Sequence, residues 1–248
     1  MFRYRRLPLE KLDNARELGG FPAAEGVTVY GKYIRSEVPA ALTGGDIAFL
    51  KEYGLKMVLD FRGSVELEKT PDVLAKEDWL EYVHLPMFDD TASRGMAGGR
   101  FAALPPDFSW GKYYVEMADA RKPWVKSLLE AVARCGGAVL LHCTTGKDRT
   151  GIAAALLLGL CGVSDNDIAA DYCVSQIYLQ NMYKTMTHLM PTGSTSDMSD
   201  PFFSTAPENM LMLLEFMGKT YGGITGYVRE CGVAEETIDA IRSGFLEK

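Results

Sequence analysis

The sequence predicts an α/β layer fold, with a central mostly parallel sheet flanked by helices and a largely helical C-terminal half. Three observations carry this expectation. Short apolar runs alternate with helix-spaced stretches through the first half, which implies strands paired in parallel through crossovers. Further stretches of helical spacing fill most of the second half. The chain has 248 residues, 47% hydrophobic and 24% charged, enough to bury a sizeable core without staples. No break in composition marks a boundary, so residues 1–248 are read as a single domain.

The elements follow in order. Val27 to Ile34 (VTVYGKYI) is a candidate strand region, with Gly31 as a turn or bulge. Thr43 to Tyr53 has helical spacing, with Thr43 as N-cap and Ile47, Phe49 and Leu50 as apolar positions. Lys56 to Phe61 (KMVLDF) reads as a short buried strand before the turn Arg62-Gly63-Ser64. Tyr82 to Leu85 is a further strand, stopped by Pro86. A long helix is expected over Trp110 to Arg134, broken or restarted near Pro123, and Gly136-Gly137 ends it. Ala138 to Leu141 (AVLL) is a third buried strand. Ile152 to Leu160, Asp165 to Tyr183, Pro207 to Tyr221 and Ala234 to Leu246 are the later helices. Between them Met190 to Ala206 is rich in Ser, Thr, Pro and Asp, and reads as a surface connection or a mobile flap.

Composition narrows the function classes. Lys and Arg number 26 against 33 Asp and Glu, a net charge of −7, which argues against nucleic acid as a partner. The five cysteines (Cys135, Cys143, Cys161, Cys173, Cys231) contain no CxxC pair, and the three histidines (His84, His142, His188) are scattered. Neither a disulfide framework nor a zinc site is expected, and no metal is assigned. The longest nearly apolar run, Ile152 to Val163, falls short of the ~20 residues a membrane span needs. The N-terminal residues are basic and lack an apolar signal core. A cytoplasmic protein without stable membrane insertion is expected, with secretion by a signal-independent route left open.

The informative segment is AVLLHCTTGKDRTG, Ala138 to Gly151. It sets Cys143 at the end of a buried strand, with Arg149 six positions on and Thr150-Gly151 opening an apolar helix. Backbone N–H groups from Thr144 to Arg149 can converge on one oxyanion, and the helix N-terminus adds positive potential. Gly146 permits the backbone angles of such a tight loop. Arg149 can grip two phosphate oxygens through its planar fork. Only a thiolate is a good nucleophile, and amides, helix terminus and guanidinium all favour that anion at Cys143. The Thr150 hydroxyl could donate to the sulfur. C-x5-R-[ST] after an apolar strand is the signature of cysteine-dependent phosphatases. Against it stands the plain reading of a strand-end cysteine as a small buried hydrophobe. His142 is read as structural, orienting the loop by hydrogen bonds.

HCTTGKDRTG resembles the signature loop of the bacterial and fungal tyrosine/serine phosphatases marked by HCxxGKDRTG, and the resemblance spans nearly the whole chain. Asn14-Ala15-Arg16-Glu17-Leu18-Gly19-Gly20 resembles the family's N-terminal segment; Arg35-Ser36, and Asp60-Phe61-Arg62 with Glu66, resemble two further elements. Asp171-Tyr172 and Tyr221-Gly222-Gly223 through Gly226-Tyr227 resemble two more. The resemblance implies the protein-tyrosine-phosphatase fold and a metal-independent reaction through a phosphocysteine intermediate, with no cofactor. It implies phosphotyrosine as substrate on a protein or peptide, with phosphoserine, phosphothreonine or phosphoinositides accepted in some members.

The reaction also needs an acid. Asp148, beside Arg149, matches an aspartate thought to help catalysis in the family. Asp89, with Asp90 beside it, stands where many tyrosine phosphatases hold an acid on a mobile loop; a solvated turn is the bland alternative. Candidate substrate-binding residues are Thr144, Thr145, Gly146, Lys147 and Thr150, and the resemblance links Lys147 to extra phosphates or phosphoinositides. Arg62 with Glu66 reads as an exposed ion pair four residues apart. Arg35 and Asp60 read as locks on strand ends, and Trp110, Tyr113 and Tyr114 as core or groove wall. Two rival functions remain: a rhodanese-like sulfurtransferase, and a non-catalytic phospho-ligand binding module.

Overall fold

A computed structural model of the chain describes residues 5–88, 107–185 and 203–247. Its centre is β7 (Ala138–His142), five buried residues flanked in parallel by β4 (Tyr33–Ser36) and β5 (Leu55–Asp60). With β6 (Glu81–His84) parallel to β5 and β1 (Arg16–Glu17) antiparallel to β4, the order is β1-β4-β7-β5-β6. Both faces are covered, which is why AVLL reads as a continuous apolar run rather than an alternating one. The strand period still sorts the side chains. Tyr33, Met57, Leu59, Val139 and Leu141 join the larger core cluster; Ile34, Val58 and Leu140 join the smaller.

The smaller core lies with Leu7, Leu9, Leu12 and α1 (Gly44–Glu52). Thr43 caps α1 through a reciprocal capping box with Asp46, as its sequence position predicts. The larger core gathers α3 (Trp110–Ala120), α4 (Lys122–Arg134), α5 (Arg149–Leu160), α6 (Asp165–Tyr178), α8 (Pro207–Tyr221), α9 (Ile224–Glu230) and α10 (Glu235–Phe245). Helix α5 is buried nearly all round, so it is apolar nearly all round. The short helices α2 (Ser64–Lys69) and α7 (Gln180–Thr185) complete the set among the described residues.

Two expected elements are redrawn, and a third breaks where it is expected to. The run Val27 to Ile34 divides between two sheets. β3 (Gly26–Thr28) pairs with β2 (Pro22–Ala23) and β8 (Leu246–Glu247), while β4 enters the main sheet. Gly31, at φ +81, makes the turn between them. The long helix after Ser109 is two helices. Arg121 leaves helical geometry and Pro123 sits in the first turn of α4, where its missing N–H has no cost. The stretch Asp165 to Tyr183 likewise divides at Leu179 into α6 and α7.

Family-like glycines and tyrosines near the C-terminus have packing roles. Gly222 (φ +76) and Gly223 (φ +112) turn the chain between α8 and α9. Tyr227 is buried and donates to the Ala118 carbonyl at 2.6 Å, tying α9 to α3. Among the described residues, no helix is long and apolar enough to cross a membrane.

The core tolerates little truncation. Leu156→Ala, on the buried α5, is expected to lose about 2–5 kcal/mol of unfolding free energy in urea titrations. Lys219→Ala, on the exposed side of α8, is expected to change it by no more than about 0.5 kcal/mol.

Candidate active site

The strand that delivers Cys143 is held on both sides. His142 pairs in register with Ser36 of β4 and Asp60 of β5, and the next residue, Cys143, is 1% exposed. The chain then turns through Thr144 to Asp148 and enters α5 at Arg149. Gly146 takes φ +68, and a Cβ there would lie 2.2 Å from the Ser36 carbonyl oxygen, so no side chain fits. Among the described residues, the backbone N–H groups of Thr144, Thr145, Gly146, Asp148, Arg149 and Thr150 meet no acceptor. Lys147 N–H makes a long contact, 3.4 Å, to Thr145 Oγ1. Unpaired donors in a partly buried turn at a helix start are the makings of an anion site.

Arg149 is held by Glu66. Its Nη1 and Nη2 donate to the two carboxylate oxygens at 2.7 and 2.8 Å, a bidentate fork. Contacts of Nη1 to the Phe61 carbonyl and Nη2 to Thr144 Oγ1 are long, both 3.4 Å. Of the five guanidinium N–H groups, others than the two bound by Glu66 remain for a ligand. Glu66 also accepts from the Thr144 hydroxyl and the Gly63 N–H. Burial disfavours the charged Glu66, but the Arg149 guanidinium outweighs it, with help from these donors, and holds the carboxyl at about 2.

Asp148 is held by a tyrosine pair. Its Oδ1 accepts from the Tyr114 hydroxyl, which lies 2.7 Å from the Tyr172 hydroxyl. Burial, with Asp148 alongside, keeps both phenols protonated well beyond their usual range, so they remain donors. Lys147 lies 3.5 Å from Asp148 Oδ1 and 3.5 Å from the Ser204 carbonyl, with its ammonium 4.1 Å from the Trp110 ring centroid. Burial lowers the pKa of this ammonium, and Asp148 offsets only part of that. Thr150 Oγ1 is buried and bonds no partner, so the expected hydrogen bond to the Cys143 sulfur is not formed.

Beneath the loop, His142 Nδ1 faces the Cys143 carbonyl at 3.2 Å. His142 Nε2 lies 3.0 Å from Asp72 Oδ2 and 3.7 Å from Asp60 Oδ2, at an angle that makes no hydrogen bond to Asp72. These three residues are also the one group among those described whose donor atoms cluster tightly enough for a metal ion. Asp60, however, already binds the Arg62 guanidinium at 2.6 to 3.1 Å and the Tyr82 hydroxyl at 2.6 Å. A guanidinium against the carboxylate suits a cation poorly, so the donor set does not fit a metal.

The structure thus brings together Cys143, Thr144, Thr145, Gly146, Lys147, Asp148, Arg149 and Thr150. Asp89 and Asp90 lie outside the described residues, as does 190–202 of the expected flap. The expected pair of Arg62 with Glu66 is absent: Arg62 is buried on Asp60, and Glu66 is given to Arg149. Helix α2 starts only at Ser64, so helical spacing does not relate residues 62 and 66. Arg35 pairs with Asp171. Tyr114 and Trp110 are core residues that also reach the site, a role that their helical spacing hides.

Comparison with known proteins follows the same line. A family model described as the tyrosine phosphatase family matches residues 7–247. A tyrosine-protein phosphatase of Nostoc commune is 30% identical over 219 residues, covering 85% of this chain and 72% of its own. A triple specificity protein phosphatase, PtpB of Mycobacterium tuberculosis, is 28% identical over 123 residues, 45% of each chain. The crystal structure of P. aeruginosa TpbA in complex with pTyr aligns over 89% of each chain, at 15% identity and a TM-score of 0.34.

The Arg149–Glu66 pair has a signature in acid. A carboxyl held at about 2 in the fold, against 4.5 ordinarily, stabilises the fold above about pH 4.5, and the gain fades as pH falls through 2. Glu66→Gln is expected to melt below the wild type near pH 7, with the two melting temperatures converging toward about pH 2.

Proposed function

This chain belongs to the tyrosine phosphatase family, and from that premise we propose that it hydrolyses phosphotyrosine on proteins or peptides through a phosphocysteine intermediate. The observation that supports this reading best is the run of loop amides at Thr144, Thr145, Gly146, Asp148, Arg149 and Thr150 that meet no acceptor among the described residues, with Arg149 fixed beside them by Glu66. That arrangement is complementary to a phosphoryl group losing its leaving oxygen, whose charge spreads over three equatorial oxygens.

In this reading the Cys143 thiolate attacks phosphorus in line with the leaving oxygen. An S–P bond forms as the P–O bond to the phenol breaks. Loop amides and Arg149 hold the equatorial oxygens, while Asp148 gives its proton to the departing oxygen. Water then attacks the thiophosphate, Asp148 takes a proton from it, and inorganic phosphate leaves with the thiolate restored. Tyr114, donating to Asp148, aims the carboxylate. Thr150 supplies a buried hydroxyl without a protein partner, free to meet the sulfur anion as it departs. No step uses a metal or an organic cofactor.

Substrate range is the finer part of the proposal. The name of the mycobacterial relative carries more than one specificity, and Lys147 lies in the loop where a second anion would be met. Phosphoserine, phosphothreonine and phosphoinositides are therefore proposed as secondary substrates, with Lys147 turning from Trp110 toward the added charge. Phosphotyrosine remains the primary one.

Wild-type protein is expected to release phosphate from a phosphotyrosyl peptide in the presence of EDTA, and Cys143→Ser to release none above background. Release that survives in Cys143→Ser, or that requires a divalent ion, would overturn the mechanism. Asp148→Asn should slow phenyl phosphate far more than p-nitrophenyl phosphate, since the poorer leaving group needs the proton more. Equal loss on both esters would shift the acid to another carboxyl.

A further inference from the structure

The amides of Thr144, Thr145, Gly146 and Asp148 meet no acceptor among the described residues although the loop's own carbonyls lie close by, so the other edge of each peptide unit must be held. Thr144 O accepts from the Val38 N–H at 3.2 Å. Thr145 O accepts from Asn14 Nδ2 at 3.0 Å. Gly146 O and Lys147 O both accept from Arg35 Nη2, at 2.7 and 3.3 Å. In a trans peptide the N–H points opposite to the C=O. Holding these four carbonyls from outside therefore aims the N–H groups of Thr145, Gly146, Lys147 and Asp148 the other way.

Both side-chain arms return to one carboxylate. Arg35 Nη1 donates to Asp171 Oδ2 at 2.6 Å, and Arg16 Nε donates to Asp171 Oδ1 at 3.0 Å. Arg16 Nη2 reaches the Asp171 carbonyl and Ser175 Oγ at 2.8 and 2.9 Å. Arg16 Nη1 donates to Asn14 O and Asn14 Oδ1, which leaves the Asn14 amide nitrogen turned to Thr145. Glu37 accepts the backbone N–H groups of Asp13 and Asn14 and fixes that segment. Arg16, Arg35 and Asp171 are each 1% exposed, and Arg5 adds a third guanidinium at 2.6 Å from Asp171. Three positive groups thus share one negative partner, and Arg35 Nε bonds nothing.

We propose that Arg35 and Asp171 are positioning residues for phosphate binding. Asp171 fixes Arg35 directly and Asn14 through Arg16, and these hold the cradle carbonyls so that the amides stay set for phosphoryl oxygens. The unbalanced charge of the arginines lies behind the same peptide units and favours an anion in front of them. This inference rests on the reading of Cys143 and Arg149 as phosphatase machinery. It accounts for three sequence segments that the catalytic groups leave unexplained: Asn14 to Arg16, Arg35-Ser36 and Asp171.

The test uses Arg35→Lys, Arg35→Met and Asn14→Ala in the full chain. Inorganic phosphate is the inhibitor and p-nitrophenyl phosphate the substrate, with active enzyme counted by iodoacetate labelling at Cys143. Arg35→Met is expected to raise the phosphate inhibition constant at least about tenfold and to lower kcat/KM roughly 100-fold, the scale that a small displacement of a reacting group produces. Arg35→Lys keeps the charge but not the fork, so it should recover part of both. Asn14→Ala, which frees Thr145 O and takes one acceptor from Arg16 but leaves Arg35 in place, should shift the inhibition constant in the same direction by less. Unchanged inhibition constants in variants that melt cooperatively would overturn the proposal, even at lower melting temperatures. If Arg35→Met does not fold, Arg35→Lys and Asn14→Ala decide on the same criterion. A wild type that binds phosphate without hydrolysing esters would refute the catalytic reading instead, and phosphate-binding isotherms of the variants would then judge the positioning separately.

Discussion

The constraint on which the site depends is that the peptide groups of residues 144–148 have been turned so that carbonyls and amides part company. Left to themselves, adjacent donors and acceptors in a tight turn find one another or the first turn of the following helix. Here Val38, Asn14 and Arg35 take the acceptors, and no described residue takes most of the donors. Everything else in the neighbourhood can be ordered around that separation. The sheet fixes where the loop begins, α5 fixes where it ends, and the buried arginines fix its outer edge.

The charged side chains of the loop are likewise held by residues from distant parts of the chain. Glu66 sets the plane of Arg149, Tyr114 sets Asp148, and Trp110 with Ser204 engages Lys147. His142 contributes from beneath, beside Asp60, which Arg62 and Tyr82 satisfy, and Asp72, whose Oδ1 accepts from the Leu74 N–H. Such support keeps charged groups in a partly buried cleft from collapsing on one another, and it defines one geometry for an incoming anion.

How much of this the sequence revealed depends on the range of the interaction. The strand, loop and helix around Cys143 were readable because all of their determinants lie within fourteen residues, Ala138 to Gly151. The cap at Thr43 and the break near Pro123 were local in the same way. The partner of Glu66 was not readable, because a spacing of four suggested a helical pair with Arg62 and the helix starts too late for it. Tyr114 and Trp110 were legible as core or groove wall, but an aromatic at core spacing gives no sign that its hydroxyl meets Asp148 or its ring face Lys147. The pairs of Arg35 and Arg16 with Asp171 join positions separated by 136 and 155 residues in the chain, which no periodicity can reveal.

Those separations bear on what the signature motif is. Residues 138–151 contain Cys143, Arg149 and Gly146, yet the groups that hold the loop carbonyls lie at Asn14, Arg35 and Val38, and the carboxylate that steadies them lies at Asp171. A chain still being synthesised therefore carries the complete motif well before it can carry the site. A fragment that begins after residue 35 retains Cys143, Asp148 and Arg149 and lacks Asn14 and Arg35, which hold the carbonyls of Thr145, Gly146 and Lys147. The loop is enclosed by segments that precede and follow it in the chain, and the ten residues of the motif are the innermost turn of that enclosure.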